Sequence, residues 1–142
     1  MRKVVFISDF FAHQVQGGAE ICDKVLIDEM KKRGIKVATF NSNEFVLKHF
    51  EFYNKFGYYY IVSNFINLQK PIKSRLKAMS DRYVIIEHDH KYLSTRNPAD
   101  FKDFLAPAEF ISNREFYTSA KAVFAQSIKH KEVMETNLGA SN

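Results

Sequence analysis

Two stretches of this 142-residue chain concentrate side chains that could do chemistry. The first is Glu87-His88-Asp89-His90, two imidazoles and two carboxylates in four consecutive residues. Such a set can carry protons, hold a metal or bind a hydroxyl-rich ligand. In an extended segment successive residues point to opposite sides, so His88 and His90 share a side only with Glu87 and Asp89 turned away. A metal would then need a further ligand such as His13, and no spacing here matches a zinc motif. The sequence therefore assigns neither a metal nor a cofactor. Polar residues that merely finish a strand are the plainer alternative.

The second stretch is Gly17-Gly18-Ala19-Glu20, a glycine pair just ahead of an apolar-periodic segment. Neither glycine carries a Cβ to obstruct a ligand, and a helix N-terminus offers unpaired N–H groups. The dinucleotide fingerprint needs a third glycine, and a P-loop needs a closing Lys-Ser/Thr; both are missing. A tight strand–helix turn without a ligand explains the glycines equally well. Glu20 would repel a phosphate at that N-terminus and would not repel sugar hydroxyls. A third feature is basic: Lys70, Lys73 and Lys77 at helical spacing, with Arg75 and Arg82 nearby. It reads as a solvated helix face, or as a contact for a membrane surface or an acidic acceptor. No nucleophile elbow and no nucleic-acid module signature is present.

The elements that must position these residues follow from periodicity. Val4–Ile7 is an apolar run of strand length, as in a parallel sheet covered on both faces. After the loop Asp9–Gln16, a helix runs from Gly18 to Arg33 with Ala19, Cys22, Leu26 and Met30 on its inward face. Glu20 at its start and Lys31, Lys32 and Arg33 at its end complement the helix dipole, and Gly34 stops it. Ile35–Phe40 is a second strand. Asn41–Asn43 supply a turn and an N-cap for a short helix through Phe50. Tyr58–Val62 is a third strand, and Pro71 opens a helix that turns Ile72, Leu76 and Met79 inward. Tyr83–Ile86 is a fourth strand leading directly into Glu87–His90. Asn97-Pro98 predicts a capped helix to Leu105, followed by a helix over 113–119 and a brief fifth strand at Val123–Ala125. Ser127 caps a last helix that carries Ile128, Val133, Met134 and Leu138 inward and ends at Gly139.

Five strands alternating with helices predict one α/β domain, a Rossmann-like three-layer unit with a mainly parallel five-stranded sheet. Hydrophobic residues make up 46% of the chain and charged residues 26%, which fits a packed core and argues against disorder. The formal net charge of +5 favours anionic partners without choosing among them. The single cysteine, Cys22, excludes an internal disulfide, fits a reducing compartment and reads as inert core packing. The N-terminus reads as a strand and not a signal peptide, and no apolar run reaches the length of a membrane span. The expected location is cytoplasmic, with peripheral membrane contact left open.

Three segments together resemble the N-terminal domain of GT-B glycosyltransferases, the large retaining family called group 1 or family 4. They are KVVFISDFFAHQVQGGAEICDKVLIDEMKKRGIKV, YVIIEHDHKYL and AKAVFAQSIKHKEVMETNL, in the family's order along nearly the whole chain. The resemblance implies a nucleotide-sugar donor and a saccharide or lipid acceptor. Gly17 and Gly18 match the family's glycine loop, and His88 matches the histidine beside the transferred sugar, with Asp89 following as a catalytic candidate. Ser127 matches the serine after the fifth strand. Asn64, Tyr92 and Arg96 are acceptor contacts by position alone. The family's second domain, with its Glu-x7-Glu pattern, has no counterpart, and the sequence stops about where the family's linker begins. The resemblance thus implies an acceptor-side half that has little activity without a second domain or partner chain. Phe10, Phe11 and Tyr92 are then expected to be exposed at the sheet's carboxyl edge as an interdomain surface. The alternatives are a stand-alone saccharide- or anion-binding module and, more remotely, a metal-dependent hydrolase using His88 and His90.

Overall fold

The computed structural model describes residues 2–139. Five parallel strands stand in the order β2-β1-β3-β4-β5: β1 Lys3–Ser8, β2 Lys36–Asn41, β3 Tyr59–Val62, β4 Tyr83–Ile86 and β5 Ala122–Phe124. The α-helices are α1 Gly18–Lys32, α2 Leu47–Lys55, α3 Lys70–Lys77, α4 Arg114–Ser119 and α5 Ile128–Leu138. Registry is set by apolar pairs such as Val4 with Val37, Ile7 with Val62, Tyr60 with Tyr83 and Ile85 with Val123. This is the Rossmann-like α/β domain that the strand–helix alternation predicts.

The twofold alternation of each strand divides the core between two faces. Val5, Ile7, Tyr60, Val62, Tyr83 and Ile85 face one side and pack with Phe50 of α2, Ile72 and Leu76 of α3, Phe116 and Tyr117 of α4, and Met134 and Leu138 of α5. Val4, Phe6, Ile61 and Val84 face the other side, which Ile27 and Met30 of α1 cover. There the strip over β4 and β5 stays open: Leu26, Ile86, Ala122 and Phe124 help line an apolar groove of about 500 Å³.

Several local expectations need correction. α1 is rotated from the predicted face: its buried residues are Asp23, Ile27 and Met30, and Cys22 is exposed. The rotation follows from Asp23, whose carboxylate turns inward to meet His88. α2 begins at Leu47 without a side-chain cap, because Asn41 stays in β2 and donates its side-chain amide to Asp9 O at 3.1 Å. Asn97 does cap, accepting from Ala99 N, but the segment to Leu105 forms two 3-10 turns. Left-handed backbone at Asp103 and Phe104 breaks the helix there. Met79 lies just past the end of α3 and still packs on the core. Ile128 is 78% exposed, since it opens α5 on the side away from Val133 and Met134.

Two local devices fix the connections at opposite edges of the sheet. Gly34 ends α1 at φ +81°, a left-handed conformation that a Cβ disfavours, and nothing lies within 4 Å of where that Cβ would stand. Gly34→Ala is therefore expected to cost about 1 kcal/mol from the backbone alone, measured as a lowered urea midpoint. Asp9, just past β1, ties three segments together. Its carboxylate accepts from Ser42 Oγ, from Ile66 N at 2.9 Å and from Asn67 N at 3.0 Å, and its own N–H donates to Asn64 O at 2.8 Å. The turn after β3 is thereby fastened to the end of β1, and Asn64 is placed beside the residues that follow β4.

Candidate functional site

The carboxyl ends of β1, β3, β4 and β5 open into a polar cleft of about 390 Å³. Gly18, Glu20 and Cys22 line it from α1, Asn64 from the loop after β3, His88 and Asp89 from the loop after β4, and Gln126 from the loop after β5. Open doubly wound sheets collect ligands at this edge.

His88 is fixed from both sides. Its Nε2 lies 3.1 Å from Asp23 Oδ1, and its Nδ1 lies 3.1 Å from Gln126 Nε2. An amide nitrogen can only donate, so Nδ1 accepts and the Nε2–H donates to Asp23. The two side chains are 6% and 1% exposed. Asp23 orients His88 as a carboxylate orients an imidazole in many sites, and with both nitrogens engaged His88 serves as a rigid wall more readily than as a proton carrier. Gln126 also donates to Glu87 O at 3.0 Å, so β5 helps set the turn that carries His88.

Gly17 is the N-cap of α1 in extended backbone, and Gly18 is its first helical residue. A Cβ on Gly17 would collide with the carboxylate of Glu20, whereas one on Gly18 would meet nothing within 4 Å. Neither glycine has positive φ. Glu20 therefore folds back over the helix start and places a negative charge where an anion would otherwise sit. This end of the cleft suits hydroxyls, not phosphate.

Past Asp89 two cations, Lys91 and Arg96, join the carboxylates of the lining. Asp89, half exposed, accepts from Lys91 Nζ through Oδ1 and from Arg96 Nη1 at 3.4 Å through Oδ2. Lys91 is almost fully buried and also donates to Asn64 Oδ1 at 2.5 Å. Burial pulls the Lys91 ammonium below its ordinary pKa, against the opposing pull of Glu87 and Asp9.

Beneath the cleft, Glu87 anchors the turn. It is 1% exposed, and its carboxylate accepts from Tyr117 Oη and from His90 N at 2.5 Å. His130 Nε2 stands 3.8 Å from Glu87 Oε1, and the His130 ring stacks on His90 at 4.1 Å. His90 Nδ1 meets Tyr92 Oη at 2.5 Å. Burial would raise the Glu87 pKa, but His130, the Tyr117 hydroxyl and the Lys91 charge outweigh it and hold the carboxyl below its ordinary 4.5. Burial and the neighbouring His130 charge lower His90 from 6.5, against Glu87.

Both shifts have the same sign on acidification. The unfolded chain takes up protons at each site before the folded one does, so stability is full above pH 6.5 and falls below it. Loss through His90 comes first, and loss through Glu87 follows below 4.5. Urea titrations from pH 8 to pH 4 should show this decline, and His90→Gln should flatten its upper part.

Of the residues expected from sequence, Gly18, Asn64, His88 and Asp89 meet in one cleft, with Gly17 immediately behind Glu20. Arg96 lines an adjoining pocket with Lys91 and the carboxylates of Asp9, Glu20 and Asp89. Ser127 is exposed, and its hydroxyl accepts from His130 N at 3.1 Å as the cap of α5. Tyr92 is 0% exposed, its hydroxyl against His90, and Phe11 is 7% exposed, packed on Phe6 and stacked with His13. The expected exposed aromatic surface is thus corrected: of its three residues Phe10 stands open, at 47%, and the other two are buried. His13, His88 and His90 have separate partners, and among the described residues no group of three or more His, Cys, Asp or Glu is placed to hold a metal. Among those residues, too, no helix is long and apolar enough to cross a membrane.

Asp23, Gln126 and Lys91 were not among the sequence expectations. Asp23 stands four residues before Ile27 and seven before Met30, a helical spacing that becomes telling only once the buried face of α1 is known.

Fold and site together define an α/β domain of the doubly wound parallel class with a polar carboxyl-edge cleft. No protein-family model matches the chain, and neither the curated proteins nor the solved structures contain a match to it.

Proposed function

We propose that the chain is the acceptor-side half of a retaining glycosyltransferase that uses a nucleotide-sugar donor, and that a second domain or partner chain completes it. The observation that carries this reading is the cleft where Gly18, Glu20, Asn64, His88, Asp89 and Gln126 converge. Carboxylates and amides on a rigid wall suit sugar hydroxyls, each of which donates and accepts. Glu20 at the head of α1 favours hydroxyls over a diphosphate at that point, so the leaving phosphate would be stabilised from the opposite wall. In this arrangement His88 positions the sugar, and Asp89 accepts from a hydroxyl while Lys91 and Arg96 hold it in place.

The burial of Phe11 and Tyr92 favours a second reading, a stand-alone saccharide-binding module, because it removes much of the apolar surface expected at a domain junction. One experiment separates the two. The isotope-labelled chain is titrated with mono- and disaccharides and with nucleotide sugars, and release of nucleoside diphosphate is assayed in parallel. Saccharide-dependent amide shifts at Gly18, Asn64 and Asp89 without turnover are expected under either reading. Recovery of turnover on adding a donor-binding domain selects the half-enzyme. Turnover by this chain alone would refute it, and the absence of any saccharide shift would refute both.

A further inference from the structure

We infer that a second pocket, on the far side of Asp89 and Lys91 from the sugar-suited cleft, is a binding site for a phosphate group. It encloses about 330 Å³ and is lined by Lys73, Lys91, Arg96, Ser94, Ser112 and Asn113, over a floor that includes Phe65. Three cations and three polar side chains converge there, and the lining contains no carboxylate.

The cations come from separate parts of the fold and line one space. Lys73 projects from α3 and Lys91 from the turn after β4; their ammonium groups lie 5.3 and 5.8 Å from the centre of the same Phe65 ring. Lys73 Nζ also donates to Asn113 Oδ1 at 3.3 Å, and Asn113 is itself fixed by donating to Lys91 O at 3.1 Å and to Ser112 Oγ at 3.2 Å. Arg96 and Asn113 both have left-handed backbone, at φ 55° and 56°. Asparagine adopts that conformation readily; arginine does so rarely, and here it turns the side chain toward the pocket rim.

The charge balance decides the ligand. Asp89 at the shoulder accepts from Lys91 and Arg96, and Asp9 attracts Lys73 and Lys91 from outside the lining, so three cations face carboxylates that touch the pocket only at its edge. Like charges gathered on one pocket repel one another, and at Lys73 the repulsion from Lys70 works against the attraction of Asp9. Partial burial already pulls the Lys73 ammonium below its ordinary pKa. An oxyanion relieves both penalties, and a phosphate, with several acceptor oxygens, matches the two ammonium groups, the guanidinium and the serine hydroxyls together. The start of α1 is closed to such an anion by Glu20, so this basic pocket is the place on the carboxyl edge that accepts one. The inference does not rest on the glycosyltransferase reading, since it uses none of the sugar-suited residues except the shared shoulder.

A phosphate can arrive on a soluble phosphomonoester or on a lipid headgroup, and the experiment distinguishes them. The intact chain is titrated by calorimetry with inorganic phosphate and with glucose 6-phosphate, against chloride at matched ionic strength. It is also sedimented with vesicles of phosphatidic acid or of phosphatidylcholine. Lys73→Gln and Arg96→Gln are compared with Lys31→Gln/Lys32→Gln on α1, and a thermal melt confirms that each variant is folded. Each pocket substitution is expected to weaken phosphate binding about tenfold or more, as loss of a charged hydrogen bond does, while the α1 control changes nothing. Saturable binding of the soluble esters assigns a soluble ligand; binding only to phosphatidic acid vesicles, lost in the same variants, assigns a headgroup. No saturable binding in either arm, or binding to which Lys73→Gln and Arg96→Gln make no difference, overturns the inference.

Discussion

Glu87→Ala is expected to cost about 3–5 kcal/mol, the largest loss from any single polar substitution in this chain. The carboxylate is 1% exposed and is the acceptor for both the Tyr117 hydroxyl and the His90 amide. Removing it strands two buried donors and leaves the His130 and Lys91 side chains without their common negative neighbour. The consequence reaches the cleft, because the His90 amide bond closes the turn on which His88 and Asp89 stand. Glu87→Gln keeps one acceptor oxygen and should cost only about 1–2 kcal/mol. Urea denaturation measures both, and a cycle with Tyr117→Phe should return a coupling of about 1 kcal/mol or more. A loss below about 1 kcal/mol for the alanine variant would show that the turn is held by other contacts.

Asp23→Ala is the second large effect, at about 2–3 kcal/mol. It leaves the His88 Nε2–H inside the protein with no acceptor, since the two side chains are 6% and 1% exposed. Asp23→Asn should fall between the alanine variant and the native chain. It keeps an oxygen for His88 but puts an amide group where Asp23 Oδ2 has no hydrogen-bond partner. Denaturation reads the stability, and the ring nitrogen shifts of His88 read the orientation: the native spectrum should show a single Nε2–H tautomer, and the alanine variant a mixture. If alanine leaves both measurements unchanged, Asp23 does not position His88.

These two residues also show where sequence reading stopped. Strand β4 is legible to the residue, because Tyr83–Ile86 is an unbroken apolar run ending abruptly in charge, and Ser127 is legible as a cap because capping is a local event. Locally encoded features fared well. The face of α1 did not, because apolar spacing alone cannot foresee that an aspartate will turn inward to a histidine 65 residues away. The stretch after Asn97 has the right cap and proline for a helix, yet left-handed backbone at Asp103 and Phe104 breaks it into short turns. Gly18, Asn64, His88 and Asp89 could be assigned to one edge from strand order alone. The burial of Tyr92 could not, since it depends on the Tyr117 ring at 5.9 Å and on the His90 pair.

The Asp9 tether has a practical meaning for anyone who wishes to extend or tag this domain. Ile66 is 53% exposed, and the turn it occupies looks like a convenient place to graft a peptide. Its amide and that of Asn67 are both held by Asp9, so a graft there would pull on the end of β1 and on Ser42 at once. Tolerance of an insertion depends on what the backbone is bonded to, not on how open it looks. The turn at Phe56-Gly57, between α2 and β3, is exposed and remote from the cleft; its tie to β1 is a Lys3 side chain donating to Phe56 O and not a pair of backbone amides, so it is the better point of entry.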